Sequence, residues 1–124
     1  MALEQLVDQV LAAVAERRKE SPSLFTLTID WEARPELGPW RERIEAELDR
    51  LASWGVDRSE LLSVLRSEFF GHEQNVDFEG AAEILQEMAQ RDLRSKLVHE
   101  GMNSKDADRA TKSCHLIKQL TPNG

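Results

Sequence analysis

The stretch Leu24-Phe25-Thr26-Leu27-Thr28-Ile29-Asp30 decides how this chain is read, because it is the clearest place where the apolar pattern stops following a helix. Phe25, Leu27 and Ile29 alternate with Thr26, Thr28 and Asp30, the period-two pattern of a strand, in β-branched and aromatic residues that favour one. A strand standing alone leaves a ladder of backbone N–H and C=O groups unpaired. Three partners are open: Asn75-Val76-Asp77-Phe78 within the chain, the same segment of a second copy, or a strand added by another protein.

Everything around that segment has helical period. Upstream, Leu3, Leu6, Val7, Val10, Leu11 and Val14 share one stripe. Arg17, Arg18 and Lys19 suit the negative end of that helix, and Ser21-Pro22-Ser23 is expected to stop it. Downstream, Pro39 suits a first turn, Trp40, Ile44, Leu48, Leu51 and Trp54 form a buried stripe, and Gly55 is expected as a left-handed cap. Asp57 is placed to cap a third helix carrying Leu61, Leu62, Val64, Leu65, Phe69 and Phe70, which ends at Gly71. A long helix begins near Asp77, with Phe78, Ala82, Leu85, Met88, Ala89, Leu93 and Leu97 as its apolar set, and closes at Gly101. A last helix from Asn103 or Ser104 is expected to run through Cys114, Ile117 and Leu120 on one face. The expected fold is therefore all-α or nearly so: about five helices in one bundle-like domain over residues 1–120, one extended segment at 24–30, and a frayed tail at 121–124.

Composition narrows the function. A chain of 124 residues with 40% hydrophobic and 31% charged residues is in the range of a folded globular domain. The N-terminal residues meet acids before any base, no apolar run is long enough for a bilayer, and Cys114 has no second cysteine to pair with. These features set the expectation of a cytoplasmic protein with no membrane segment. An arginine-rich, lysine-poor composition suggests a GC-rich bacterial source. Formal net charge is −7. Residues 1–90 are strongly acidic and residues 91–124 mildly basic, which makes nucleic acid an unfavourable partner over most of the surface and a basic protein a favourable one.

Several chemistries lack their residues. His72, His99 and His115 have no spacing with acids or Cys114 that builds a tetrahedral metal site, and no glycine-rich loop precedes a helix to cradle phosphates. Val76-Asp77-Phe78-Glu79 lacks the alternating oxygen ligands of a calcium loop, and Gly80 stands where a bidentate Glu is needed. No cofactor and no catalytic set are expected.

The leading expectation is a non-enzymatic adaptor, inhibitor or anti-activator that binds another protein through an acidic surface and the extended segment. It is expected to form a homodimer through Leu3, Leu6 and Val10 of the first helix together with Leu24, Phe25, Leu27, Ile29 and Trp31. Trp31 is included because aromatics ringed by polar residues are common binding anchors. A second reading comes from residues 50–70, where Leu51, Trp54, Gly55, Val56, Leu61 and Val64 have helix-turn-helix spacing, with Arg58, Ser59, Ser63 and Arg66 as DNA-contact candidates. Asp57, Glu60 and Glu68 on the same helix oppose phosphate. A third comes from Arg94-Ser95-Lys96-Leu97-Val98-His99, which resembles the catalytic signature of HEPN-domain ribonucleases. That resemblance implies His99 as general acid or base and Arg94 steadying phosphate charge.

Overall fold

The structure, a computed structural model, describes residues 2–20, 24–72, 75–118 and 120. It is mostly helical, with one two-stranded antiparallel ribbon. Helix α1 spans Leu3–Glu20 and buries Leu3, Leu6, Val7, Val10, Ala13 and Val14, close to the stripe expected of it. The stop expected at Ser21-Pro22-Ser23 and the frayed tail at 121–124 lie outside the described residues. Strand β1 is Phe25–Leu27, and a 3-10 turn over Pro35–Trp40 leads into α2, Arg41–Ala52. Helices α3 (Arg58–Glu68), α4 (Phe78–His99) and α5 (Ser104–Lys112) follow, and β2 is Cys114–Leu116.

Three helix starts are set by side chains close in sequence. Asp57 accepts the N–H of Glu60 at 3.1 Å, Asp77 that of Gly80 at 2.8 Å, and Asn103 that of Asp106 at 2.9 Å. Each satisfies a donor that the first helical turn leaves without a partner. At the far end of α4, Gly101 takes φ +109° and lets Met102 N–H reach back to the Leu97 carbonyl at 3.0 Å.

The strand finds its partner in a place the apolar spacing concealed. β1 pairs with β2 in the register Phe25↔Leu116, Thr26↔His115, Leu27↔Cys114, and Thr28 N–Ser113 O and Ile117 N–Leu24 O bonds extend the ladder. Asn75–Phe78 does not supply the partner. Asn75 lies in a turn, Val76 is buried and Asp77 is the cap of α4. The last helix does not run through Cys114 and Ile117 as its spacing suggested; α5 stops at Lys112. The Thr111 hydroxyl donates to the carbonyls of Ala107 and Asp108, and the Ser113 hydroxyl and N–H both turn back to Ala110, a local competition that suits a helix end.

Two smaller expectations also change. Gly55 is not a left-handed cap; among the described residues the positive-φ positions are Gly71 and Gly101. Chain reversal after α2 is made instead by Ser53 and Trp54 N–H groups bonding the carbonyls of Arg50 and Leu51. Trp40 ends the 3-10 turn rather than opening the helical stripe, and both Trp40 and Trp54 are half-buried at the edge of the core.

Helix α4 is the hub, packing on α1, α2, α3, α5 and β2. The core joins Leu6, Val7 and Val10 of α1 to Ile44, Leu51, Leu61, Leu65, Leu85, Leu93 and Leu97. Each such side chain contributes roughly 1.5–3 kcal/mol when fully buried. No described helix is long and apolar enough to cross a membrane.

Candidate functional site

The proposed homodimer residues are, for the most part, already used. Leu3, Leu6, Val10, Leu24 and Phe25 are buried in the chain's own core, and Leu27, Ile29 and Trp31 are half-buried against it. Trp31 lies under the Arg41 guanidinium, 5.1 Å from the ring centroid, so its face is partly covered by a cation of its own chain. The unpaired strand that motivated an intermolecular contact is paired inside the molecule.

The outer edge of β2 is also accounted for. On β2, Leu116 N–H donates to Gln86 Oε1 and Cys114 C=O accepts from Gln90 Nε2, each at 2.8 Å, so two glutamines one turn apart on α4 take the place of a third strand. On β1, Phe25 is buried and α2 packs against the strand. A sheet edge closed in this way does not invite strand addition.

The residues with helix-turn-helix spacing lie on two helices that make little contact with each other. Helix α2 packs mainly on β1, the 3-10 turn and α4, whereas α3 packs on α1 and α4, so the two helices lack the mutual lock of that motif. The arginines needed for phosphate are engaged elsewhere. Arg58 grips Asp8 of α1 with two bonds, at 2.7 and 3.3 Å, and Arg66 reaches Glu4 at 2.6 Å. The hydrogen bond from Arg58 holds the Asp8 carboxyl below its usual range, and the same bond raises Arg58. Ser59 and Ser63 are exposed.

Arg94 and His99 do not converge. Arg94 bonds Asp108 of α5 at 2.5 Å, while His99 stands exposed in the last turn of α4. Cys114 is buried, and that burial pushes its thiol up to about 11, which suits a core residue and not a nucleophile. Among the described residues no group of three or more His, Cys, Asp and Glu side chains is placed to hold a metal ion.

Two surface features remain. The first is Phe70, which is 84% exposed in the turn between α3 and α4, directly before Gly71 with its left-handed φ of +81°. Its neighbour Phe69 is half-buried and approaches Gly80 in the first turn of α4, which anchors this end of the molecule. From Ser67 to Gln90 the sequence contains Glu68, Glu73, Asp77, Glu79, Glu83 and Glu87 but neither Lys nor Arg. Glu79, Glu83 and Glu87 are spaced four apart along α4, are all exposed, and have no basic partner within 4.0 Å among the described residues. Like charges at that spacing repel, so the row costs stability in isolation.

The second is a cleft of about 280 Å³ between the segment leaving β1 and the end of α5, bordered by Thr28, Arg34, Arg109 and Lys112 among others. A groove of about 510 Å³ lies along the ribbon beside Thr26, His115 and Lys118.

The apolar spacing places Phe70 on the buried face of its helix, but α3 ends at Glu68 and the following turn leaves Phe70 exposed. The cation-free run from Ser67 to Gln90 was visible in the sequence as a charge imbalance without a location. No protein-family model, curated protein or solved structure matches the chain.

Proposed function

We propose that this is a non-enzymatic interaction protein, and that it binds a basic protein surface through the acidic end built by the α3–α4 turn and the first half of α4. The observation that carries the reading is Phe70, a large aromatic left almost wholly in water within a stretch that holds no cation. Aromatic anchors surrounded by polar groups supply much of the energy of protein interfaces. A row of carboxylates steers oppositely charged partners and rejects like-charged ones. The same charge argues against self-association here, since a two-fold contact would bring the row against its own copy. An adaptor, inhibitor or anti-activator needs no more chemistry than this.

The test is capture from native lysate on immobilised wild-type protein, Phe70→Ala, and a Glu79→Gln/Glu83→Gln/Glu87→Gln triple variant, followed by partner identification and titration. The expected partner is basic, is released from wild type by raised salt, and is bound at least roughly ten-fold more weakly by Phe70→Ala, the loss of one anchor residue. A partner held equally well by all three proteins overturns the assignment of this surface.

A further inference from the structure

The cleft between the β1 exit and the end of α5 is unlike the rest of this acidic molecule. Three cations border it, Arg34, Arg109 and Lys112, against one carboxylate, Asp30. Asp30 is already occupied, accepting the N–H groups of Glu32 at 3.1 Å and Ala33 at 3.3 Å through one oxygen. Arg109 holds Glu36 at 2.7 Å and lies 3.9 Å from Asp106. Arg34 and Lys112 have no carboxylate within 4.0 Å among the described residues, although the chain as a whole carries seven more acids than bases. Glu36, the partner of Arg109, is held below the ordinary carboxylate range, first by a backbone hydrogen bond, against the opposing effect of desolvation, and then by Arg109 and Arg34.

Arg109 and Lys112 would sit well at the end of α5 for the helix dipole alone. That account does not reach Arg34, which arrives from a different segment and borders the same space. Nor does it explain why the cleft is walled by the Thr28 hydroxyl, bonded to the Ser113 carbonyl at 3.3 Å and able to accept a further bond or re-aim toward a guest. The geometry points to a binding site for a small phosphate-class oxyanion, with Arg34 and Lys112 supplying the charge and Arg109 and Thr28 flanking it. A guanidinium fork matches two phosphate oxygens, and an ammonium adds a point charge with adaptable donors. At about 280 Å³ the cleft falls just below the usual range for drug-sized ligands, which selects inorganic phosphate or a compact phosphate monoester over a dinucleotide. This site is separate from the acidic end and does not depend on it.

The experiment is amide-resolved NMR titration of the full chain with inorganic phosphate and, in parallel, phenyl phosphate, each against sodium chloride at matched ionic strength. The expected result is saturable shifts confined to the amides around Thr28, Ala33 and Ser113, with binding weakened roughly ten-fold or more in both Arg34→Ala and Lys112→Ala. Phenyl phosphate binding tighter than phosphate identifies a monoester site, and the reverse order identifies a free-phosphate site. Shifts that stay linear, that chloride reproduces, or that persist unchanged in the two variants overturn the proposal. Both substitutions are at exposed side chains, and saturation in the wild type decides the matter even where a variant fails to fold.

Discussion

Glu47 is the residue whose loss the structure predicts most sharply. It lies on α2 with only 6% of its side chain exposed, and no apolar pattern marks it. One carboxylate oxygen receives Arg43 Nη2 at 3.1 Å and the other receives Arg50 Nε at 2.7 Å. Arg43 continues to Glu100 at 2.5 Å and Arg50 to Asp92, so a five-member chain of alternating charge runs from α2 to both ends of the last two turns of α4. Partial burial would lower the Arg50 guanidinium, yet its hydrogen bonds to Glu47 and Asp92 win and raise it. Removing one member of a fully buried ion pair costs about 3–5 kcal/mol, while an exposed pair is worth about 0–1. Here the acid is buried, but the two arginine side chains are 41% and 38% exposed, so water can recover part of their solvation. The expected cost of Glu47→Ala is therefore intermediate, about 2–3 kcal/mol. With a urea slope of about 1.5 kcal/mol/M for a chain of this size, the unfolding midpoint falls by roughly 1.3–2 M. Tryptophan fluorescence and far-UV circular dichroism report the same transition. Glu45→Ala is the internal control: it removes an exposed pair with Arg41 on the same helix and is expected to cost less than about 0.5 kcal/mol. If the two variants lose the same stability, burial is not what makes Glu47 matter and the reasoning fails.

Phe70→Ala is expected to leave the unfolding free energy, measured by urea titration, within about 0.5 kcal/mol of wild type, because the ring is exposed; a larger loss would mean that it packs inside the fold. Gln86→Ala strips the acceptor from the Leu116 N–H and is expected to cost about 1–2 kcal/mol and to accelerate exchange of that amide selectively, which hydrogen exchange measures residue by residue. Asp8 has a folded pKa below its unfolded value, so its contribution is present above pH 3.8 and is lost as pH falls through the folded pKa. Arg58→Ala is expected to raise the Asp8 titration toward the ordinary carboxylate range and to flatten that part of the acid limb; a carboxyl carbon NMR titration unchanged by the substitution would contradict the pairing. Cys114 behaves in the opposite sense, its folded pKa being raised from 9.0 to about 11. Its contribution is complete below pH 9 and disappears as pH rises toward 11, so Cys114→Ala is expected to remove an alkaline slope from the stability curve, and the native thiol is expected to react slowly with a thiol reagent at pH 8.

Much of the helical framework can be read directly from the residues. The buried stripe of α1 and the caps Asp57, Asp77 and Asn103 depend on neighbours within a turn, and a one-dimensional pattern records them faithfully. Strand character within residues 24–30 was legible for the same reason, since alternation is also local, but the strand itself is shorter than the pattern, Phe25–Leu27. What covers that strand was not. Ala110, Cys114 and Ile117 have spacing that suits a helix, while Cys114 and Leu116 also alternate as a strand, and propensity does not separate the two. Tertiary structure decides it: an extended Cys114–Leu116 pairs the ladder of β1, which a continued helix would leave unmet, and the side-chain amides of Gln86 and Gln90 satisfy the other edge of β2.

The charges divide in the same way. Sequence alone determined that the protein is acidic, that its Cys is unpaired within the chain, and that one long stretch has no cation. Only the fold could turn Arg58 and Arg66 toward Asp8 and Glu4, bury Glu47 between two arginines, and bring Arg34 beside Lys112 across 78 positions of sequence. Where secondary structure is settled by hydrogen bonds and packing within a few residues, as in most of these helices, it leaves a periodic trace. The partner of a charge is settled by which distant surfaces the core draws together, and that choice has no period to read.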